Sequence, residues 1–365
     1  MQTNITAPKV NLMEASEQWR SRPADQRFET LAALRESVNS RRMRSRSVDI
    51  DCTRLSIEDT GATLLINSQI TPCEPSHWAF GQLATQVKAP AGYLRSLPRP
   101  LLTQCLSHGL KNGQRDAVKF MTVASEDEKP NILQAVTSTT YGRIWDADVV
   151  DAVSRIVDRT GNKFFNPKDW SGKPSGLYAS DHDVFCFMID GGSIVDAGPR
   201  AQINRGFLVW NSETGAKTFG LMTFLFNKVC GNHIIWGATD VNKLLIRHTS
   251  GGPYRFDSQA APMLKRYSEE SERPVIDTIT KAQNMLLPAF KDSDELNEFV
   301  SKSAKFSRAE LREAVVFAKS EEGDCRTLWQ LVQGFTAYAR GLDYIDARVD
   351  LESRAGKLLN IVATN

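Results

Sequence analysis

The sequence predicts an α+β fold: a mixed or antiparallel β-sheet body with flanking helices, followed by a helical C-terminal domain. Apolar and polar residues alternate in short runs between residues 48 and 247, as they do in strands. From about residue 259 onward, apolar residues recur every three to four positions, as they do in helices. A chain of 365 residues is long enough for two or three domains.

These changes of pattern set the domain boundaries. Residues 1–160 are predicted to form an N-terminal α+β region, 161–258 a β-rich core, and 259–365 a helical C-terminal domain. The Asn166-Pro167 pair marks a loop between the first two.

The N-terminal region alternates helices and strands. A first helix carries apolar residues at helical spacing and ends in a basic patch: Phe28, Leu31, Leu34, Val38, then Arg41, Arg42, Arg44 and Arg46. A hairpin joins a strand at Val48–Cys52 to one at Leu64–Ile70. Ser76 caps a helix that buries Trp78, Phe80, Leu83 and Val87. The other predicted elements are helices at Ala91–Leu97 and Pro100–Leu110, strands at Val118–Val123 and Ile132–Thr137, and a helix from Asp146, its cap, to Val157.

The β-rich core is predicted from short apolar runs bounded by turns. Its strands are predicted at Leu177–Ala179, Val184–Ile189, Phe207–Trp210, Ile234–Trp236 and Leu244–Arg247. The segment Thr218–Val229 fits either a helix or another strand, and the spacing of Leu221, Phe224 and Leu225 favours the helix.

Six helices are predicted after residue 259, at Met263–Glu272, Val275–Leu287, Ser293–Lys302, Ser307–Lys319, Asp324–Arg340 and Asp346–Leu359. Ser307 and Glu310 have the spacing of a capping box. An apolar stripe in the fifth helix fits a docking face for a partner, although a core stripe within the chain is the favoured interpretation: Leu328, Trp329, Val332, Phe335 and Tyr338.

Composition excludes several classes of protein. Glycine (23) and proline (15) are at ordinary levels, which excludes collagenous and low-complexity chains. The six cysteines form no Cys-x-x-Cys pair, which is typical of reduced, buried thiols in the cytosol. The most apolar segment, Gly220–Ala238, is interrupted by polar residues, so it does not predict a membrane span. We therefore expect a cytoplasmic protein that makes no membrane contact.

Charge is concentrated locally although the formal net charge is only +2. Five basic residues and no Asp or Glu lie between Pro75 and Arg115. From Arg200 to Arg255, seven basic residues are opposed only by Glu213 and Asp240. A basic surface of this kind neutralises phosphates. Dispersal of the same residues over an ordinary solvated surface is the alternative.

Two polar turns flank the apolar stretch from Phe219 to Val229. The first turn, residues 211–215, follows a strand, and its Gly215 permits an otherwise strained backbone. Cys230-Gly231-Asn232-His233 forms the second turn. We expect the two turns to meet in space beneath a positively charged rim, with Glu213 close to His233.

Motifs along most of the chain carry a resemblance to a known family. In chain order they are Arg22–Phe28, Ala79–Leu83, Pro90–Leu94, Tyr141–Ile144, Tyr178–Asp181, Trp210–Glu213, Val229–His233 and Arg247-His248. Together they resemble the phage and plasmid proteins of the domain-of-unknown-function 932 family, in which a valine usually follows the glutamate where this chain has Thr214. The resemblance implies a mobile-element context, among DNA replication and recombination functions, and no settled biochemical role.

The favoured hypothesis is a DNA-binding protein that acts in recombination, replication or single-strand annealing, by binding rather than catalysis. Such proteins combine a basic groove with aromatic platforms for bases. The nucleic-acid-binding residues are predicted to be Arg205, Lys217, Lys228, Arg247, Tyr141 and Arg143. Short polar groups order backbone amides, and the residues that shape the site are predicted to be Asn211, Glu213, Asn232, His233 and His248. Single-stranded DNA is the favoured partner, and a homo-oligomer is expected.

Two other classes of function stay open. Asp181, Asp183 and Glu213 have the chemistry to hold a divalent metal in a nuclease or other hydrolase. Cys230 with His233 or His248 is a weaker enzyme hypothesis. A non-enzymatic inhibitor or partner of host defence machinery is the other class. The chain has no Walker A, G-x-G-x-x-G or G-x-S-x-G motif, so we expect no cofactor, no bound metal and no catalytic residue.

Overall fold

The computed structural model places the strands of the chain in two sheets. It describes residues 24–59, 64–67, 72–125, 129–166, 176–191, 195–196, 202–227, 233–234, 243–269, 273–288, 293–301, 303–342 and 345–363. The two sheets, the helices that cover them and the helical C-terminal region confirm the predicted α+β class.

The first sheet has six strands in the order β1-β5-β6-β4-β3-β2. Their bounds are β1 Ser45–Asp51, β2 Ser56–Asp59, β3 Leu64–Asn67, β4 Cys73–Pro75, β5 Ala117–Val123 and β6 Asn131–Thr137. The β4 and β6 strands run parallel, whereas the other described pairs are antiparallel. The sheet is therefore mixed, as the sequence predicts.

The second sheet has eight strands and is antiparallel along its central path β13-β12-β11-β9-β7. Its bounds are β7 Phe164–Phe165, β8 Leu177–Ala179, β9 Val184–Asp190, β10 Val195–Asp196, β11 Gln202–Asn211, β12 Phe219–Asn227, β13 His233–Ile234 and β14 Lys243–Ile246. The β8, β10 and β14 strands extend this path by pairing with β9, β11 and β12.

Helices cover both sheets and form the C-terminal region. Their bounds are α1 Leu31–Arg44, α2 His77–Gln86, α3 Ala91–Ser96, α4 Arg99–Lys111, α5 Asp146–Arg159, α6 Gly252–Arg255, α7 Ala261–Glu269, α8 Arg273–Asn284, α9 Ser293–Ser301, α10 Arg308–Glu322, α11 Leu328–Arg340, α12 Ile345–Lys357 and α13 Asn360–Ala363. The helices α7 to α12 match the six that the sequence predicts after residue 259. None of the described helices combines the length and the apolar character that crossing a membrane requires.

Three main apolar cores hold these layers together. The α2 and α4 helices bury Leu83 and Leu110 against the six-stranded sheet. The α1 and α5 helices bury Leu34 and Val153 against the eight-stranded sheet, in the same core as Phe207. The C-terminal helices surround a separate core, which Leu225 of β12 joins. The predicted domain boundaries at residues 160 and 258 stay a prediction.

The predicted helix at Thr218–Val229 is wrong, because Phe219–Asn227 forms strand β12. Alternate residues of this strand face different cores: Phe219 and Leu221 point into the core beneath α5, whereas Met222 and Phe224 join a second cluster on the other face. Burial on both faces produces a nearly continuous apolar run, which periodicity alone does not separate from a buried helix.

The predicted partner of the Val48–Cys52 strand is also wrong. β1 pairs with β5 over its whole length, and the hairpin is formed instead by β2 and β3. Both strands of the true hairpin are only four residues long. The two paired strands are about 70 residues apart in the chain, and the alternation of apolar and polar residues within one strand does not indicate which distant strand it pairs with.

Candidate functional site

The turn between β11 and β12 is polar and yet buried. Asn211, Ser212 and Thr214 are inaccessible to solvent, and Glu213 is 2% exposed. Gly215, the next residue, has a φ of 91°, in the left-handed region that glycine adopts without steric cost. Buried polar groups require partners, and here each partner comes from a different part of the chain.

Glu213 pairs with two elements that lie far away in sequence. Its Oε1 atom lies 3.1 Å from Arg41 Nε, near the C-terminal end of α1. The same guanidinium group donates through Nη2 to Asp146 Oδ2 at 2.8 Å, and through Nη1 to the backbone oxygen of Ser180. Arg41, Asp146, Asn211 and Glu213 are called the Glu213 cluster below. The cluster joins α1, α5 and the β11–β12 turn.

The Glu213 cluster also caps the α5 helix. The sequence predicts that the Asp146 side chain caps this helix, but Trp145 is the N-cap residue and provides no side-chain hydrogen bond. Glu213 Oε2 accepts the backbone N–H of Asp146 at 3.0 Å instead. A carboxylate at this position also interacts favourably with the positive end of the helix dipole. The predicted cap is therefore replaced by a residue from a different element.

Asn211 completes the cluster from the end of β11. Its Nδ2 atom donates to Asp146 Oδ1 at 2.7 Å and to the backbone oxygen of Ile144 at 2.9 Å. Burial and the negative charge of Glu213 together raise the pKa of Asp146 to about 8, against the opposing effects of Arg41 and Asn211. Two buried carboxyl groups thus share one guanidinium group. The Asp146 carboxyl group retains its proton to a higher pH than an exposed aspartic acid side chain does.

The same turn anchors the six-stranded sheet through α2. The backbone oxygen of Thr214 accepts hydrogen bonds from Trp78 Nε1 at 3.2 Å and from Gln82 Nε2 at 2.8 Å. Ser212 Oγ donates to the backbone oxygen of His182 at 2.6 Å. The His182 ring stacks on Trp78 with a centroid separation of 5.6 Å. The turn therefore holds both sheets in one arrangement.

Three further residues of the predicted site converge on this turn. Tyr141 Oη donates to the backbone oxygen of Ser212 at 3.1 Å, and Arg143 Nη1 donates to that of Glu213. The His248 ring stacks on Tyr141 with a centroid separation of 5.0 Å. Burial lowers the pKa of His248 to about 4, so the imidazole is neutral at physiological pH.

The structure contradicts the assignment of Arg205 to phosphate contact. This residue is 3% exposed, and its guanidinium group lies 4.4 Å from the Tyr267 ring centroid and donates to the Tyr267 backbone oxygen. Arg205 lies on the same side of β11 as Phe207 and Val209, and α7 covers this side through Met263 and Leu264. Arg205 thus fastens α7 to the sheet.

The other predicted nucleic-acid contacts have mixed outcomes. Arg247 is exposed. Lys217 Nζ lies 3.3 Å from Asp183 Oδ2, so its charge is partly neutralised within the chain. Arg143 is 7% exposed, so it does not lie on the open surface, and its assignment to nucleic-acid contact stays a prediction. Tyr141 is partly buried, with His248 stacked on its ring. Lys228 lies outside the described residues.

The expectation that Glu213 lies close to His233 is wrong. Glu213 follows β11 at the end of the hairpin where Trp210 pairs with Gly220. His233 pairs with Phe226, six residues further along β12. At about 3.3 Å per residue, this places His233 about 20 Å along the strand from the end at which Glu213 lies. Asn232 and Cys230 lie outside the described residues, and only the backbone of His233 is described.

The three carboxylates of the nuclease hypothesis have separate partners. Asp181 Oδ1 lies 2.6 Å from His182 Nδ1, Asp183 Oδ1 accepts from Ser180 Oγ at 2.6 Å, and Glu213 pairs with Arg41. Within the described residues, no three His, Cys, Asp or Glu side chains lie together in an arrangement that could hold a metal ion. The geometry therefore gives the nuclease hypothesis no support.

Sequence reasoning missed the roles of Arg41, Asp146, Trp78 and Gln82 at this turn. Arg41 was counted as part of a basic patch, although its neighbours Arg42 and Arg44 do not share its contacts with the cluster. The available signal was Asp146 itself, an acidic residue at a helix start beside the Tyr141–Ile144 motif.

Comparison with known proteins assigns no family, since no family model, no curated protein and no solved structure matches the chain. The resemblance to the domain-of-unknown-function 932 family stays a prediction.

Proposed function

We propose that this chain binds single-stranded DNA, by binding rather than catalysis, through the outer surface of α2, α3 and α4. The observation that carries the proposal is the charge of this layer: five exposed basic residues and no Asp or Glu between Pro75 and Arg115. These five residues are called the cationic helical face: Lys88, Arg95, Arg99, Lys111 and Arg115. Lys and Arg side chains that neutralise backbone phosphates release counterions, which supplies the sequence-independent part of the affinity.

Packing of the three helices keeps this charge at the surface. Phe80, Leu94, Leu102 and Leu106 bury the faces that the helices turn toward each other. The helices α2 and α4 also pack on the six-stranded sheet through Leu83 and Leu110. With the apolar residues directed inward, Arg95, Arg99 and Lys111 lie on the outside of the helices, and Lys88 and Arg115 are exposed in the segments that follow α2 and α4. Positions held in place by packing lower the entropic cost of binding.

An exposed aromatic side chain accompanies the charge. Tyr93 in α3 is 60% exposed, two residues before Arg95. The Arg95 guanidinium lies 4.8 Å from the Phe80 ring centroid and donates to the backbone oxygen of His77 at 3.0 Å, so its position is fixed. A base stacked on an exposed ring contributes roughly 1–3 kcal/mol. Cations with an adjacent ring are the combination that single-strand binding uses.

One member of the cationic helical face has an acidic neighbour. Arg99 Nη1 lies 3.6 Å from Asp59 Oδ1, and the arginine side chain is exposed. Exposed ion pairs of this length contribute little, because water and salt screen them. Phosphate oxygens are therefore able to compete for this guanidinium, and Arg99 stays in the proposed set.

The alternative function, docking of a partner protein, was based on an apolar stripe in helix α11 that is not available at the surface. Leu328, Trp329, Val332 and Phe335 are buried in the C-terminal core. They are core residues of the chain, as the favoured interpretation predicted. Participation in recombination, replication or annealing, and assembly into a homo-oligomer, stay predictions that follow from DNA binding.

A titration with matched charge variants tests the proposal. We compare the wild type, the triple variant Arg95→Gln, Lys111→Gln, Arg115→Gln, and a control triple variant Arg266→Gln, Arg312→Gln, Lys319→Gln. The control removes the same number of Arg and Lys charges from exposed helical positions outside the face. Fluorescence anisotropy of a labelled oligothymidylate is measured at several salt concentrations, with and without Mg²⁺.

The first triple variant is expected to bind at least about tenfold more weakly, and the slope of log K against log salt is expected to fall by about 2, at ~0.7 per phosphate contact on a single strand. The control is expected to retain both values. Equal affinity and slope in the two triple variants, or no binding by the wild type at low salt, overturns the proposal.

A further inference from the structure

Five side chains form one continuous stack next to the Glu213 cluster. The Arg42 guanidinium lies 3.8 Å from the Trp145 ring centroid, and the Arg143 guanidinium lies 5.4 Å from the same centroid. Arg143 also lies 5.3 Å from the Tyr141 ring centroid, and Tyr141 stacks on His248. Two cations thus share one indole ring, although like charges repel. An arrangement of this kind is stabilised when an anion lies beside it.

One edge of the Arg143 guanidinium has no partner. Nη1 donates to the backbone oxygen of Glu213. Within the described part of the chain, Nε and Nη2 have no hydrogen-bond partner, although the residue is only 7% exposed. These two N–H groups lie along one edge of the planar guanidinium group, and their spacing matches that of two oxygens of one oxyanion. A buried charge without a partner is costly, and such a group calls for an explanation such as a bound ion.

The carboxylates nearest to this edge already have partners. Glu213 and Asp146 are held by Arg41, Asn211 and the backbone N–H of Asp146. Among the described residues, neither Arg42 nor Arg143 forms an ion pair within 4 Å of a carboxylate. Burial lowers the pKa of Arg143 and the charge of Arg42 adds to this effect, whereas Glu213 and Asp146 oppose it. The carboxylates thus offset part of the charge of the stack, but within the described residues none of them accepts a hydrogen bond from the Nε–Nη2 edge of Arg143.

We propose that Arg143 and Arg42 bind a phosphate group, with two of its oxygens on the Nε–Nη2 edge of Arg143. Phosphate fits better than a singly charged anion because the stack contains two guanidinium groups. Both nitrogens are shielded from water, so binding requires the partly exposed Trp145 ring beside them to move. The site is separate from the cationic helical face and does not depend on the proposed function. The phosphate comes either from free inorganic phosphate or from a nucleic-acid backbone.

Thermal unfolding at constant ionic strength tests this site. We compare inorganic phosphate with chloride, and an oligothymidylate with buffer, for the wild type, Arg143→Met and Arg42→Gln. The unfolding midpoint of the wild type is expected to rise by about 3–4 °C at a phosphate concentration ~100-fold above Kd. The rise is expected to disappear in Arg143→Met. Because Arg143→Met also loses the hydrogen bond to the Glu213 backbone oxygen, its own midpoint in chloride is the baseline for its phosphate shift.

Each arm of the experiment has a defined meaning. A rise with inorganic phosphate that requires Arg143 assigns the site to free phosphate. A rise with oligothymidylate alone that requires Arg143 assigns it to a nucleic-acid backbone. If Arg143→Met fails to fold, Arg42→Gln, at a partly exposed position, is expected to weaken the phosphate effect at least about tenfold in affinity.

Equal midpoint shifts in the wild type and in both arginine variants, or no shift with either ligand, overturns the inference. The triple variant of the cationic helical face separates this result from the proposed function. It is expected to bind oligothymidylate at least about tenfold more weakly and to keep the phosphate-induced shift.

Discussion

Two buried ionisable residues near the β11–β12 turn give the stability of the protein an unusual dependence on pH. The folded state raises the pKa of Asp146 from 3.8 to about 8, so it binds more protons than the unfolded state between those values. Stability from this group therefore falls as pH rises from about 4 to 8. The folded state lowers the pKa of His248 from 6.5 to about 4, so stability from this group rises with pH between 4 and 6.5.

The two effects oppose each other below pH 6.5, and only that of Asp146 acts above it. The free energy of unfolding is expected to decrease between pH 6.5 and 8, by up to about 2 kcal/mol. Urea denaturation at a series of pH values measures this slope. Asp146→Asn keeps the side-chain shape and is expected to flatten the curve in this window. An unchanged slope in Asp146→Asn contradicts the assignment.

Two arginines of α1 provide a matched test of the Glu213 cluster. Arg41 pairs with the buried Asp146 and Glu213, whereas Arg35 pairs at 2.6 Å with Asp151 on an exposed surface. Arg41→Ala is expected to reduce the free energy of unfolding by roughly 3–5 kcal/mol, because buried carboxylates lose their partner. Arg35→Ala is expected to cost less than about 1 kcal/mol. Chemical denaturation of both variants measures the difference, and similar costs for the two contradict the structural role of the cluster.

At the scale of elements, helix α11 approaches α10 more closely than a side chain allows. A Cβ atom on Gly334 would lie 2.1 Å from the backbone oxygen of Ala314 and 2.8 Å from Ala318 Cβ. Gly334→Ala is therefore expected to destabilise the protein by about 1–3 kcal/mol, in spite of the higher helix propensity of alanine.

Gly81 in α2 is the control, because a Cβ atom there meets nothing within 4 Å. Gly81→Ala is expected to leave stability unchanged or to raise it by about 0.5–1 kcal/mol. Thermal unfolding of both variants gives the comparison. A stabilising Gly334→Ala would show that the two helices are further apart than the structure places them.

The local sequence pattern was enough to predict most helices and strands. It failed where contacts between distant residues determine the type of an element or its partner in the sheet. Ser76 caps α2 and accepts from the Ala79 N–H at 3.1 Å, and the Ser307–Glu310 capping box opens α10, both as predicted. Strand β12 was mistaken for a helix because cores on both faces remove its alternation. The partner of β1 was mistaken because strand pairing depends on residues about 70 positions away.

At the scale of the whole molecule, the sequence located the polar turn and did not reveal what it does. The turn after strand β11 was predicted correctly, but Arg41 and Asp146, the partners of Asn211 and Glu213, are themselves 105 residues apart in the chain. No spacing rule connects such positions. Burial then reverses the expected role, since polar groups that looked suited to a ligand join α1, α2 and α5 to the eight-stranded sheet. The five basic residues of the cationic helical face, by contrast, stay exposed.

Lysine reactivity in the presence of DNA tests this division of roles most directly. Lys88 and Lys111 are exposed on the cationic helical face, whereas Lys319 is exposed on α10. The rates at which an amine-reactive reagent acetylates these three lysines are measured by mass spectrometry, with and without a saturating oligothymidylate. Lys88 and Lys111 are expected to react severalfold more slowly with DNA present, and Lys319 at an unchanged rate. Unchanged rates at Lys88 and Lys111, or equal protection of Lys319, would contradict the account.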